Sequence, residues 1–245
     1  VMRMQTPGLE HIAERSLAER AYRYIYRKLA SGELGPGARL VNRVLAAEIG
    51  VSVIPVREAI HRLASEGLVE HVPGSGALVP DHSRQASHDL YVLRDALESC
   101  AAEEAARHIS EDQLAQLHEI LRDMQEIERE IAARDTQTAT KVLLHRWLDC
   151  EELFHKILVD SSRNELLSKV IAEHRAVSRV FDAHRDDPGI LTAEVASGTC
   201  QGREKLLAAL GQRNPERSRQ LMSEQIRRGR RTVMTHIARK RSAGD

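Results

Sequence analysis

No glycine occurs between Gly76 and Gly189 and no proline between Pro80 and Pro188, whereas both recur through the first eighty residues. Glycine and proline are the strongest local breaks in a chain, so a segmented head must give way near residues 80–84 to a body that long helices can fill. Beyond that point helical periods run at about 84–108, 111–134, 138–160, 164–184, 190–212 and 215–240. Ser110-Glu111-Asp112, Asn164 and Asn214-Pro215-Glu216 read as helix starts, and Asp187-Pro188-Gly189 as a turn. No strand pattern follows residue 80.

The head reads differently. Residues 1–16 form a polar leader without a clear period and are expected to be loose. From Leu17 to Ser31, the spacing of Leu17, Ala21, Ile25 and Leu29 predicts a helix with one apolar stripe. Two shorter helices are expected at Arg43–Ile49 and from Val53 to about Glu66. Between them Gly50 is suited to end the first and Ser52 to cap the second. Pro55 falls in the first turn, where a missing N–H is tolerated. The apolar runs around Pro73-Gly74-Ser75-Gly76 read as a small hairpin. The expected fold class is therefore mainly α. A winged helix-turn-helix over 17–80 carries a β-hairpin wing, and an all-α bundle of six to seven helices follows over 84–241.

The 36 basic and 36 acidic side chains cancel, which by itself argues against a nucleic-acid binder. Their distribution reverses that argument. Residues 20–62 carry eight basic and three acidic side chains, whereas residues 63–226 carry 19 and 29. A basic head joined to an acidic body is what contact with phosphates at one end requires. The C-terminal stretch from Arg227 to Arg241 holds seven basic residues and no acid; it reads as a solvated face or as a secondary contact to DNA flanks.

No apolar run approaches the roughly 20 residues of a membrane span, and no signal core is evident near the N-terminus. Cys100, Cys150 and Cys200 share no short spacing, so neither a disulfide framework nor a zinc knuckle is expected, and a reducing cytoplasm is the expected location. Seven aromatic residues are too few for a surface that stacks single-stranded bases.

Helix periodicity alone does not separate a DNA-reading helix from a plain helical corner. The residues themselves go further. Gly35-Pro36-Gly37-Ala38-Arg39-Leu40, Leu45-Ala46, Gly50-Val51-Ser52, Pro55-Val56-Arg57-Glu58-Ala59-Ile60, Arg62-Leu63-Ala64 and Glu66-Gly67-Leu68-Val69 together resemble the winged-helix head of GntR-family transcription regulators. The resemblance runs continuously from about 20 to 80. It implies that Arg43, Ser52 and Arg57 meet operator DNA, with Gly74, Ser75 and Gly76 in a wing that approaches the minor groove or backbone. Arg39, Val53 and His61 complete the expected contact set. Where the family commonly has Ser-Arg-Thr ahead of Pro-Val-Arg, this chain has Ser52-Val53-Ile54. An arginine that would reach a guanine or phosphate is missing, and Val53 or Ile54 either touches a thymine methyl or packs.

In the body, Glu151 and His155 stand four apart on one helical face, with Trp147 one turn earlier. A carboxylate and an imidazole so placed can hold a divalent ion together, or can be a plain surface pair. Residues 84–240 resemble the FCD effector domain of the FadR subfamily, through Leu93-Arg94-Asp95-Ala96-Leu97-Glu98, Phe154-His155, Asn164-Glu165-Leu166-Leu167 and Leu206-Leu207-Ala208-Ala209-Leu210. Many members bind a metal through an Asp-x-x-Phe-His segment and two later histidines. Here Glu151 takes the first position and His155 is kept, but the later two fall on Arg203 and Gln225. An arginine has no lone pair to give and repels a cation, so a metal at Glu151 and His155 is disfavoured and no cofactor is expected. Two readings of Arg203 stay open. Either it grips an anionic, carboxylate-type effector with Arg94, His155 and Gln225, or it pairs with Glu151 and only fills the site.

The sequence thus points to a dimeric, ligand-responsive repressor on double-stranded operator DNA, with no membrane partner. A metal-dependent regulator is the alternative. An enzyme built on Glu151 and His155 is disfavoured, since no nucleophile–base pair, phosphate loop or complete ligand set accompanies them.

Overall fold

The computed structural model describes residues 7–31, 33–72, 76–80, 84–172 and 187–244. The chain divides near residue 82 into two compact units.

The N-terminal unit is built on three helices: α1 (Pro7–Ala30), α2 (Asn42–Ile49) and α3 (Val53–Ser65). Ala21, Ile25 and Leu29 from α1 meet Leu45, Ala46 and Ile49 from α2 and Val56, Ala59, Ile60 and Leu63 from α3 in one buried core. Helix α1 starts at Pro7, ten residues before the apolar stripe places its beginning. Proline suits a first helical turn, and Leu9, Glu10, Ala13, Glu14 and Arg15 favour helix, so propensity extends the element past the stripe. The loose leader expected over 1–16 is thereby corrected from Pro7 onward; residues 1–6 lie outside the described residues.

Gly50 ends α2 with φ 73°, a left-handed conformation that costs glycine nothing. Its N–H and that of Val51 both return to the Ala46 carbonyl, at 2.9 and 3.1 Å, which makes the turn into α3 tight. Ser52 occupies the N-cap position of α3 in extended conformation, yet its hydroxyl makes no cap hydrogen bond. The expected cap is present in backbone only.

The wing is a three-stranded antiparallel sheet in the order β1-β3-β2, formed by β1 (Arg39–Leu40), β2 (Glu70–Val72) and β3 (Gly76–Leu78). The hairpin is the anticipated one, with His71 opposite Ala77. Strand β1, which pairs Arg39 with Leu78, is too short to show a period in sequence. The hairpin tip, with Gly74 and Ser75, lies outside the described residues.

The second unit is all helical among the described residues apart from one bridge. It comprises α4 (Arg84–His108), α5 (Glu111–Ala132), α6 (Lys141–Asp160), a helix α7 described over 165–172, a 3-10 turn (Pro188–Ile190), α8 (Ala193–Gly211) and α9 (Pro215–Gly244). Leu117, Ile120, Leu121, Met124, Ile127 and Ile131 repeat at three- and four-residue steps along α5 and are buried against α6 and α8. Helix α4 packs along α9. Glu103 joins them through Arg219 at 2.8 Å, and Asp95 through Arg227 at 2.8 Å. Hydrogen bonds from Arg219 and then Arg107 hold the Glu103 carboxyl below its usual range.

The predicted starts carry the expected chemistry. Ser110 and Gln113 form a reciprocal capping box on α5, and Asn214 accepts from the Arg217 N–H at 3.0 Å to open α9. Asn164 does the same for α7 through Leu167. The far end of the expected 164–184 helix falls outside the described residues.

Replacing Ser110 by alanine removes one half of the capping box and should cost about 1 kcal/mol, lowering the thermal midpoint by about 2–4 °C in a scan of the purified chain. Cys200 on α8 is buried, and desolvation followed by the nearby Glu128 pushes its thiol up to about 12. In a Cys100→Ser, Cys150→Ser background it should therefore resist a thiol-reactive dye at pH 8 until denaturant is added.

Candidate nucleic-acid interface and buried ion cluster

The basic residues of the head separate into two groups by what they touch. Arg20 donates to the Ile49 carbonyl at the end of α2. Lys28 bonds Glu33 at 2.8 Å and Glu48 at 2.7 Å. Arg62, on α3, lies 3.9 Å over the Tyr22 ring and bonds Glu66 at 3.0 Å and Glu19 at 2.8 Å. These cations hold the helices together, and the same pairing keeps the Glu19 carboxyl below its usual range through Arg23 and Arg62.

Arg39, Arg43 and Arg57 form the other group. All three are exposed, and none has an ion-pair or hydrogen-bond partner among the described residues. They come from β1, the first turn of α2 and the first half of α3. Ser52, at the N-cap of α3, is exposed too, with its hydroxyl unused by the helix. Gly76 has φ 86°, a left-handed conformation that favours glycine, and the Arg39 guanidinium lies next to it.

Val53 is half-buried against the core, whereas Ile54 is 60% exposed at the tip of α3. Of the two residues that replace the family's Arg-Thr, the isoleucine is thus the one available to a thymine methyl. His61 is exposed on α3 and faces His71 of β2, with ring centroids 5.1 Å apart, which ties the helix to the wing. His71 was missed in sequence because its strand is three residues long and shows no alternation.

The second unit contains a buried ion cluster. Helix α6 turns Glu151, Phe154 and His155 inward, α4 contributes Arg94 and Glu98, and α8 contributes Arg203. Glu98 and Arg203 are 1% and 2% exposed. The Arg203 Nη2 donates to Glu151 Oε2 at 2.9 Å and stands 2.8 Å from His155 Nε2. A nitrogen that faces an arginine N–H must offer its lone pair. The imidazole proton is therefore assigned to Nδ1, which lies 2.6 Å from Glu98 Oε2. Glu98 also receives Arg94 Nε at 2.8 Å, and Arg94 lies over the Tyr91 ring at 5.0 Å. The Arg203 guanidinium rests 4.1 Å from the Phe154 ring centroid.

The structure brings Glu151, His155 and Arg203 together. It places Arg94 one step away, acting through Glu98, and turns Gln225 to the Gly202 carbonyl at 3.1 Å. Sequence reasoning saw Glu98 only as a partner of Arg94. Its position on the buried stripe of Tyr91, Ala102 and Ala105 was the available signal, because an acid on an apolar stripe needs a partner inside. Two donor nitrogens of Arg203, Nε and Nη1, and the Gln225 Oε1 are buried without a hydrogen-bond partner among the described residues.

The residues present do not fit the metal of the wider FCD family. Where a ligand would stand, Arg203 has no lone pair and already occupies His155 Nε2 and Glu151 Oε2. No group of three His, Cys, Asp or Glu able to hold a metal ion converges among the described residues.

Comparison with known proteins defines the class. Residues 17–79 match the bacterial regulatory proteins of the gntR family, and residues 89–228 match the FCD domain. The chain belongs to the GntR family of bacterial regulatory proteins, in its FCD-bearing branch. It is 32% identical over 120 residues to the HTH-type transcriptional regulator McbR of Escherichia coli, a stretch that is 49% of this chain and 54% of that protein. Over 136 residues it is 32% identical to the Nta operon transcriptional regulator of Aminobacter aminovorans, covering 56% of this chain and 59% of that one. The matched stretch thus spans little more than half of these relatives. The fold matches solved E. coli McbR/YncC with TM-score 0.67 at 22% identity over 94% of this chain and 99% of that one. A GntR regulator from Rhodococcus matches with TM-score 0.65 at 19% identity, covering 90% and 98%. These relatives are regulators rather than enzymes. No described helix is long and apolar enough to cross a membrane.

The two groups of arginines should separate experimentally. Arg57→Ala should leave the unfolding free energy within about 0.5 kcal/mol of the parent. Arg62→Ala should lower it measurably in urea, because it removes a ring contact and two ion pairs at once.

Proposed function

We propose that the chain is a homodimeric repressor that holds double-stranded operator DNA through its winged heads and releases it when a small carboxylate-type metabolite enters the helical unit. The observation that carries the DNA half is that Arg39, Arg43 and Arg57, on β1, α2 and α3, are exposed and have no partner among the described residues. Cations already tied to carboxylates must break those pairs to meet a phosphate. These three need only shed counterions. In this reading α3 enters the major groove, with Ser52, Ile54, Arg57 and His61 toward the bases or backbone and Val53 as support. Arg39 and the Gly74-Ser75-Gly76 wing take the flanking backbone. Two-fold symmetry of the dimer matches paired half-sites. The chain acts in the cytoplasm.

The effector half rests on two buried nitrogens of Arg203, Nε and Nη1, whose N–H groups have no partner among the described residues. An unmet buried donor costs about 1–3 kcal/mol, and a carboxylate removes that cost while forming charge-assisted hydrogen bonds. Release follows if the metabolite binds the arrangement that holds DNA less tightly than the other.

The test is a gel shift on the DNA upstream of the protein's own coding sequence, with and without a panel of small carboxylic acids. A retarded band at low salt, lost with one acid, is the expected result; no band at low salt removes the reading. Arg57→Ala should weaken the shift and reduce the slope of log affinity against log salt by about one per head.

A further inference from the structure

Three groups of the described residues face the Arg203 guanidinium, and each is of a kind that recognises a cation. Glu151 offers a carboxylate oxygen at 2.9 Å, His155 an imidazole lone pair at 2.8 Å, and Phe154 the negative face of its ring at 4.1 Å. Behind His155, Glu98 approaches Nδ1 at 2.6 Å. A carboxylate at one imidazole nitrogen, with the other nitrogen turned to a positive centre, is the arrangement that orients a histidine toward a metal ion. Here the positive centre is a side-chain nitrogen of the same chain. Glu151 and Arg203 come from α6 and α8, so the chain's own cation spans the two helices a bound ion would otherwise join.

We infer that Arg203 is a tethered substitute for a divalent ion: it fills a cation position built by Glu151, His155 and Glu98, and the helical unit stands without metal because of it. The inference concerns how this cluster is held together. It bears on the effector site proposed above without requiring it, since neither DNA nor effector enters the test.

The charges favour the substitution. Among the described residues, two cations, Arg203 and Arg94, stand against two carboxylates, Glu151 and Glu98. A metal ion added beside it would meet a fixed positive charge and two donor atoms already in use. Replacing Arg203 with a residue that offers a lone pair reverses both conditions. Together with Glu151 and His155, the new imidazole of Arg203→His makes three ligands of the kinds that zinc and nickel accept.

The experiment uses untagged full-length protein, its metal content, and its thermal midpoint with EDTA, with zinc and with nickel. The parent chain is expected to purify with far less than one metal per chain and to show the same midpoint in all three conditions. Arg203→His is expected to be less stable in EDTA and to gain about 3 °C or more with zinc or nickel, and that gain should vanish when His155→Ala is added. Arg203→Lys keeps a tethered cation and should remain indifferent to metal. A parent chain that carries one metal per chain, or that loses stability in EDTA, overturns the inference. So does a folded Arg203→His chain that takes up no metal. If Arg203→His fails to fold, the parent and Arg203→Lys still decide, because metal dependence in either one contradicts a tethered cation.

Discussion

A guanidinium removed from water inside a helical bundle dictates much of what surrounds it. Arg203 is almost fully buried, and its charge is tolerated only because a carboxylate, an imidazole lone pair and a ring face all converge on it. That requirement fixes the inward face of α6, where Glu151 and His155 must stand one turn apart, and it sets the histidine tautomer. The tautomer in turn explains a buried acid on α4, since Glu98 faces the ring nitrogen that keeps its proton. Arg94 then offsets the charge of Glu98. Four side chains on two helices follow from one cation on a third.

The head uses positive charge in the opposite manner. Its structural cations are consumed by partners within the unit, and the exposed Arg39, Arg43 and Arg57 are left over on β1, α2 and α3. Overall neutrality of the chain conceals this division. Because the body is acidic, weak attraction between the head and arbitrary DNA is expected to fade quickly with salt, and sequence-dependent contacts carry a larger share of the affinity.

Much of the architecture was legible because helix periodicity and punctuation agree. The absence of glycine and proline between residues 80 and 188 exposes the helical body, and Ser110, Asn164 and Asn214 mark starts that the structure caps. Elements without a period were less visible. Strand β1 is two residues long, and the start of α1 rests on propensity without an apolar stripe. Ser52 shows that a residue type can predict a position and not its bond, for its hydroxyl leaves the backbone it was expected to cap. At the buried cluster, Glu151, His155 and Arg203 could be assembled from spacing and resemblance. Glu98 was hidden because its partner lies on another helix, and Gln225 went elsewhere because the Gly202 carbonyl, left open by the lack of a side chain, is within its reach.

The latch made by Arg62, Tyr22, Glu19 and Glu66 joins α3 to α1 along a shared face. Helix α1 has 24 residues, so at 1.5 Å per residue it is a rod about 36 Å long. The latch sits near the middle of that rod, so the arm from Glu19 and Tyr22 back to Pro7 is about 20 Å long. Tilting it by about 5° about the latch would carry its first turn through about 2 Å, about half the rise between successive base pairs of a duplex. Whatever grips the first turns of α1 therefore holds a lever on the angle of α3.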